Sequence, residues 1–185
     1  MTYSVCVFCG SRFGASPSFR AAAEALGREI GRRGWRLVYG GGDVGLMGVV
    51  ASATLAAGGE VLGIIPRRLM EREVGKHDVT ELLVTETMFA RKERMIAESQ
   101  AFLTLPGGLG TLDELLEVVT LRQLGYHDLP VLLVDVDGFW DEWQALLEKV
   151  VACGFADASA VRLLERAGGV EAAMELLEKQ AAPAS

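Results

Sequence analysis

Short apolar runs alternate with longer amphipathic stretches along almost the whole chain. Tyr3–Cys9, Trp35–Tyr39, Val61–Ile65, Val79–Val84, Ala101–Leu105 and Val131–Val134 are bounded by turn residues and read as strands buried on both faces. Between them Pro17–Arg33, Val44–Ala57, Phe89–Glu98, Thr111–Leu124 and Phe139–Ala152 carry helical periodicity, and a last helix is expected around Val170–Lys179. Strands that alternate with helices demand right-handed crossovers. The expected fold is therefore α/β, a three-layer α/β/α Rossmann-like arrangement with a doubly wound parallel sheet whose ligands bind beyond the carboxyl ends of the strands. No linker-like stretch divides residues 1–180, which read as one nucleotide-binding domain, and residues 181–185 read as a disordered tail.

This topology gathers three glycine loops on one rim. Cys9-Gly10-Ser11-Arg12 follows the first strand, Gly40-Gly41-Gly42-Asp43-Val44-Gly45 the second, and Pro106-Gly107-Gly108-Leu109-Gly110-Thr111 the fifth. Pro106 cannot donate to a ladder and closes its strand, and the glycines behind it let an anion approach the backbone at the start of a helix. There the unpaired N–H groups and the helix dipole stabilise a phosphate without any lysine. Two readings of Thr111-Leu112-Asp113-Glu114 stand side by side: a capping box that merely opens the helix at Thr111, or a ligand loop with Glu114 one turn further in. Arg91 and Lys92 leave a similar choice. Cations in a first helical turn oppose the dipole, so they belong either to a solvated, Glu-paired surface or to an anion at the cleft mouth. Gly40, Gly42 and Gly45 satisfy GxGxxG, but the next strand ends Gly63-Ile64-Ile65-Pro66, without the acidic residue that would hold a dinucleotide ribose, which disfavours a dehydrogenase.

Composition narrows the partner. In 185 residues, half of them hydrophobic, a formal net charge of −7 with no basic run gives no footprint for nucleic acid or an anionic membrane, so a small molecule is expected. The uncharged run Val44–Gly59 is too short to span a bilayer and reads as a buried helix. Met1-Thr2-Tyr3-Ser4 carry no cationic flank ahead of Val5–Phe8, so a secretory leader is not expected and a cytoplasmic protein is. Cys6, Cys9 and Cys153 are an odd number, and Cys6-Val7-Phe8-Cys9 has redox spacing but lies in a strand, where no helix dipole lowers a thiol pKa. With only His77 and His127 besides, no metal site is expected.

Taken together, Gly40-Gly41-Gly42-Asp43-Val44-Gly45-Leu46-Met47-Gly48, Met88-Phe89-Ala90-Arg91-Lys92 and Pro106 through Glu114 resemble the Lonely Guy (LOG) family of cytokinin riboside 5′-monophosphate phosphoribohydrolases, from about Val5 to Phe155. The resemblance implies hydrolysis of the N-glycosidic bond of an adenosine 5′-monophosphate, often N6-substituted, to free base and ribose 5-phosphate, without a cofactor. AMP and isopentenyladenosine monophosphate are the implied substrates. Arg91 and Glu114 match the family's catalytic pair, while Glu73, Lys92 and the loop Gly107, Gly108, Leu109, Gly110, Thr111, Leu112 and Asp113 match its substrate contacts. Met88 stands in the same motif, and Gly10, Ser11, Gly41 and Gly42 stand on the same rim. The family commonly has histidine where Phe89 stands here, a departure that bears on the base preference. Members are often labelled lysine decarboxylases, yet Lys76, Lys92, Lys149 and Lys179 occupy no obviously enclosed position for a pyridoxal phosphate. The alternative function is a non-catalytic nucleotide or cofactor carrier of the same fold. A homodimer is expected, because Gly45–Ala51 and Leu112–Leu124 carry apolar residues on more than one helical face, and the resemblance points the same way.

Overall fold

Seven parallel strands among the described residues form one sheet in the order β4-β3-β2-β1-β5-β6-β7, with β1 (Ser4–Phe8), β2 (Arg36–Tyr39), β3 (Glu60–Pro66), β4 (Glu81–Thr85), β5 (Ala101–Thr104), β6 (Val131–Val134) and β7 (Glu165–Ala167). The computed structural model describes residues 2–70 and 75–181, so Glu73 and residues 182–185 of the expected tail lie outside the described residues. The helices are α1 (Pro17–Arg32), α2 (Gly45–Ala56), α3 (Arg67–Met70), α4 (Met88–Ala97), α5 (Leu109–Gln123), α6 (Asp141–Ala152), α7 (Ala158–Val161) and α8 (Val170–Ala181).

From β1 the chain steps outward to β4, then returns to the other side of β1 with β5 and steps outward again. Loops at such a reversal run to opposite sides and leave a crevice between them. Here it lies between the loops after β1 and β5, which a hydrogen bond from the Gly10 N–H to the Pro106 carbonyl (3.2 Å) ties together at its floor. Around it Gly10 to Gly14, Phe19, Leu46, Pro106 to Leu109 and Phe139 line a cavity of about 510 Å³.

Alternation along the strands divides the core. Val5, Val7, Leu37, Val61 and Leu103 face Leu26 and Ile30 of α1, Val50 of α2 and Leu177 of α8. Cys6, Val38, Ile64, Phe102 and Leu133 face Met95 of α4, Leu115 and Val118 of α5, and Trp140. Every interior strand is buried on both faces, as continuous apolar runs require.

Differences from the sequence reading have local causes. β7 has no apolar run, and its Glu-Arg-Ala triplet becomes an edge strand only because β6 offers a free ladder to it. The one-turn helices α3 and α7 are likewise too short to leave a periodic pattern. β4 begins at Glu81 rather than Val79, and the Thr80 hydroxyl takes the ladder place by accepting from the Val61 N–H at 3.0 Å. The run Val44–Gly59 forms the helix Gly45–Ala56, buried along one side; within Gly45–Ala51, Leu46, Met47, Val50 and Ala51 are covered by the sheet and by α1 within one chain, and Val49 is half-buried.

Cys6 and Cys9 face opposite layers of the core and are both buried. Burial, with the Glu114 carboxylate adding to it, pushes both thiols well above the ordinary range. Cys153 is exposed. In the native protein one thiol of the three is expected to react rapidly with Ellman's reagent at pH 8, and all three after unfolding; rapid reaction of two or more without denaturant would show that β1 is not packed in this way.

Candidate active site

Arg91 is the residue around which the rim closes. Thr87 caps α4, its hydroxyl accepting from the Ala90 N–H at 3.0 Å, and so starts the helix at Met88 and turns Arg91 inward. Pairing between β2 and β3 stops at Tyr39 and Gly63, whereas β3 runs on to Pro66. The guanidinium sits where β2 would have continued the ladder: Nε donates to the Ile64 carbonyl (3.1 Å) and Nη2 to the Gly40 carbonyl (2.9 Å). A side-chain carbon on residue 40 would stand 2.0 Å from Nη2, so only glycine admits the arginine. The third nitrogen, Nη1, lies 3.4 Å from the Met88 sulfur and 3.9 Å from Glu114 Oε1, a charge contact longer than a hydrogen bond.

The reading of Arg91 and Lys92 as a solvated surface turn is thereby overturned. They are only 6% and 9% exposed. Lys92 Nζ reaches Glu117 Oε2 (2.9 Å) and Asp113 Oδ2 (3.1 Å), one turn apart on α5, with the Phe89 ring 5.7 Å away. Burial pulls the Lys92 pKa down, but hydrogen bonds to Glu117 and Asp113 outweigh it and raise the value, so the ammonium stays charged. A cation pair on α4 thus meets three carboxylates on α5. Asp113 and Glu117 take the lysine, and Glu114, half-buried, faces the arginine.

The capping-box reading of Thr111 to Glu114 is also overturned. α5 starts at Leu109 behind Gly108, the Leu112 N–H already donates to the Gly108 carbonyl (3.1 Å), and Thr111 stands inside the first turn. Glu114 is therefore too deep in the helix to reach back to a cap. The N-cap makes no side-chain hydrogen bond and no acid stands in the first turn, leaving the Leu109, Gly110 and Thr111 N–H groups at the positive end of a 15-residue helix for an anion. Gly107 is glycine because Thr111 Oγ1 would lie 2.1 Å from a side-chain carbon there. Gly108 has no such reason: its backbone is ordinary extended chain and a side-chain carbon would meet nothing within 4 Å. Its missing side chain leaves room at the loop.

Of the residues singled out in the sequence, Arg91, Lys92, Met88, Asp113 and Glu114 come together where α4 meets α5, and Gly10, Ser11, Gly107, Gly108 and Leu109 flank the crevice, with Gly110 and Thr111 following in the first turn of α5. Leu112 is half-buried beside them and Leu109 projects outward. Gly41 and Gly42 are buried under the protein's own chain, Gly41 (φ +77°) packed on Ile64 and Ile65 and Gly42 bridged to Gly75. Three partners escaped the sequence reading. The Gly40 and Ile64 carbonyls leave no side-chain signal, whereas Glu117, four residues after Asp113 on the same helical face, left one.

A family model described as "possible lysine decarboxylase" matches residues 47–177. The chain is 47% identical over 175 residues to the probable cytokinin riboside 5′-monophosphate phosphoribohydrolase LOGL1 of Oryza sativa subsp. japonica, covering 95% of this chain and 77% of that one. It is 44% identical to the cytokinin riboside 5′-monophosphate phosphoribohydrolase LOG7 of Arabidopsis thaliana, covering 95% and 81%. Among solved structures, the molybdenum cofactor binding protein of Rippkaea orientalis superposes with a TM-score of 0.76 at 24% identity, covering 98% of this chain and 99% of that one. The molybdenum cofactor carrier protein of Chlamydomonas reinhardtii superposes with a TM-score of 0.74 at 20% identity, covering 97% and 98%. These two share the fold alone. The family model covers most of the chain and the plant enzymes match it along nearly its whole length: the chain belongs to the LOG family of cytokinin riboside 5′-monophosphate phosphoribohydrolases.

Proposed function

We propose that the protein hydrolyses the N-glycosidic bond of adenosine 5′-monophosphates, AMP or its N6-substituted relatives, releasing the free base and ribose 5-phosphate. The observation that carries this reading is the Glu114 carboxylate set 3.9 Å from a buried guanidinium, beside a helix N-terminus shaped for phosphate. The 5′-phosphate sits on the N–H groups that open α5 and brings the ribose to the pair. As the bond to the base breaks, positive charge spreads over the ribose ring. Glu114 offsets that charge and orients or deprotonates the attacking water. The departing base carries the bonding electrons away, the Arg91 Nη1 edge, always protonated, stabilises them without giving up a proton, and the base takes its proton from solvent while Glu114 returns to solvent the one it received from the attacking water. Arg91 is aimed at that task because Gly40 and Ile64 take its other donors.

The family description invites pyridoxal chemistry, which the lysines do not fit. Contrary to the sequence reading, two of them are enclosed, Lys76 and Lys92, but each is held as an ammonium by two carboxylates. A Schiff base needs a free amine. A carrier of the same fold is separated from a hydrolase by one assay, release of free base from AMP or isopentenyladenosine monophosphate.

We further propose a homodimer that covers α5. Leu109, Leu116 and Leu124 recur every seven or eight residues as an outward stripe, and Leu109 is 87% exposed at the mouth of the site.

Five outcomes are expected. Adenosine, lacking the phosphate handle, should show kcat/KM at least about 100-fold below AMP, and Gly108→Val should abolish the AMP reaction with the melting temperature nearly unchanged; equal efficiencies for AMP and adenosine would sink the cradle. Glu114→Gln keeps shape and helix and should stay folded while losing roughly 100-fold or more in kcat; wild-type adenine release by this variant would remove Glu114 from the mechanism. Arg91→Ala should be inactive and, because it strips two buried carbonyls of their donor, less stable by about 3 kcal/mol in denaturant titration. Light scattering at micromolar concentration should give twice the 19.8 kDa chain mass; a monomer counts against the dimer.

A further inference from the structure

We propose that Lys76 is a positioning residue of this site, a clamp that fixes the loop from Gly40 to Asp43 so that the Gly40 carbonyl meets Arg91. Its ammonium lies 3.1 Å from Asp43 Oδ1 and 2.9 Å from Asp78 Oδ1, and its backbone N–H donates to the Gly41 carbonyl at 3.0 Å. Gly75, the residue before it, bridges Gly42. Consecutive residues 41, 42 and 43 are thus each tied to the segment that carries Lys76, and the next residue back is the acceptor of Arg91 Nη2. On the other side of Asp43 the same loop reaches the phosphate crevice: the Leu46 N–H donates to the Gly10 carbonyl at 3.0 Å, and Gly45 lies against Ser11 and Arg12. One loop therefore joins the arginine to the cradle, and Lys76 holds its middle.

Stability alone does not call for a lysine here. The Lys76 side chain is 6% exposed while its acids are 44% and 71% exposed. Enclosing an ammonium is costly, and an apolar residue commonly serves as well energetically. What the ion triad adds is direction, since it fixes one Asp43 oxygen at one place. Burial lowers the Lys76 pKa, but hydrogen bonds to Asp78 and Asp43 more than reverse this, and the group stays charged. The neighbouring Tyr39 hydroxyl, buried with no hydrogen-bond partner among the described residues, is pushed up by burial and then by Asp43 and Asp78, so it remains a neutral phenol and cannot replace the cation.

The kinetic part of the test rests on the N-glycosidase reading, whereas hydrogen–deuterium exchange does not. Lys76→Met should speed amide exchange across residues 41–44 about 10-fold over wild type, with β5 and α5 unaltered, and should lower kcat for AMP about 10-fold with KM within twofold, as expected when a catalytic group is misplaced and the substrate is still held. Lys76→Arg should restore most of both. Lys149→Met, at an exposed lysine, should change neither. A lower melting temperature with unchanged kcat and exchange would make Lys76 merely structural, and a raised KM at constant kcat would make it a substrate contact; either overturns the proposal. Should Lys76→Met fail to fold, Asp78→Asn loosens the same clamp from the surface, and unchanged exchange and kcat there overturn it too. A wild-type enzyme that releases no base from any nucleotide would refute the N-glycosidase reading, and exchange would still decide the clamp.

Discussion

A gap in a β-ladder organises this molecule. Where β2 ends at Tyr39, β3 runs on past the last pair, and the Arg91 guanidinium fills the gap by donating to the Ile64 and Gly40 carbonyls. A buried charge is tolerable only when its donors are used, and this one has two on backbone carbonyls that themselves needed partners. The remaining edge of the guanidinium is left pointing toward Glu114. Sheet geometry and site chemistry are the same hydrogen bonds here.

The two faces of the site obey different physics. Toward α4 and α5 it is a lattice of fixed charges, two cations against three carboxylates, in partial burial that strengthens their mutual attraction. Toward the crevice between β1 and β5 it is backbone N–H groups and aromatic walls, suited to an anion attached to a flat apolar group. A nucleoside monophosphate carries both features. The molybdenum cofactor proteins share this fold, and a fold by itself does not choose a function.

Much of this was legible in the chain. The alternation of apolar runs and helical stretches determined the parallel sheet, its six interior or long-edge strands and its six main helices, because periodicity of two and of 3.6 is imposed by local backbone geometry. The glycine loops, their order and the family resemblance singled out Arg91, Lys92, Glu114 and the cradle, because residue type at fixed spacing survives without coordinates. Tertiary structure decided what local pattern cannot contain. β7 exists only through its neighbour, α5 begins at Leu109 rather than Thr111, and Arg91 and Lys92 lie inside rather than in water. The acceptors of Arg91 are carbonyls 27 and 51 residues away, and the clamp on Asp43 comes from a lysine beyond the next strand. Backbone acceptors have no side chain to read, and whether a charge is buried depends on which distant element covers it.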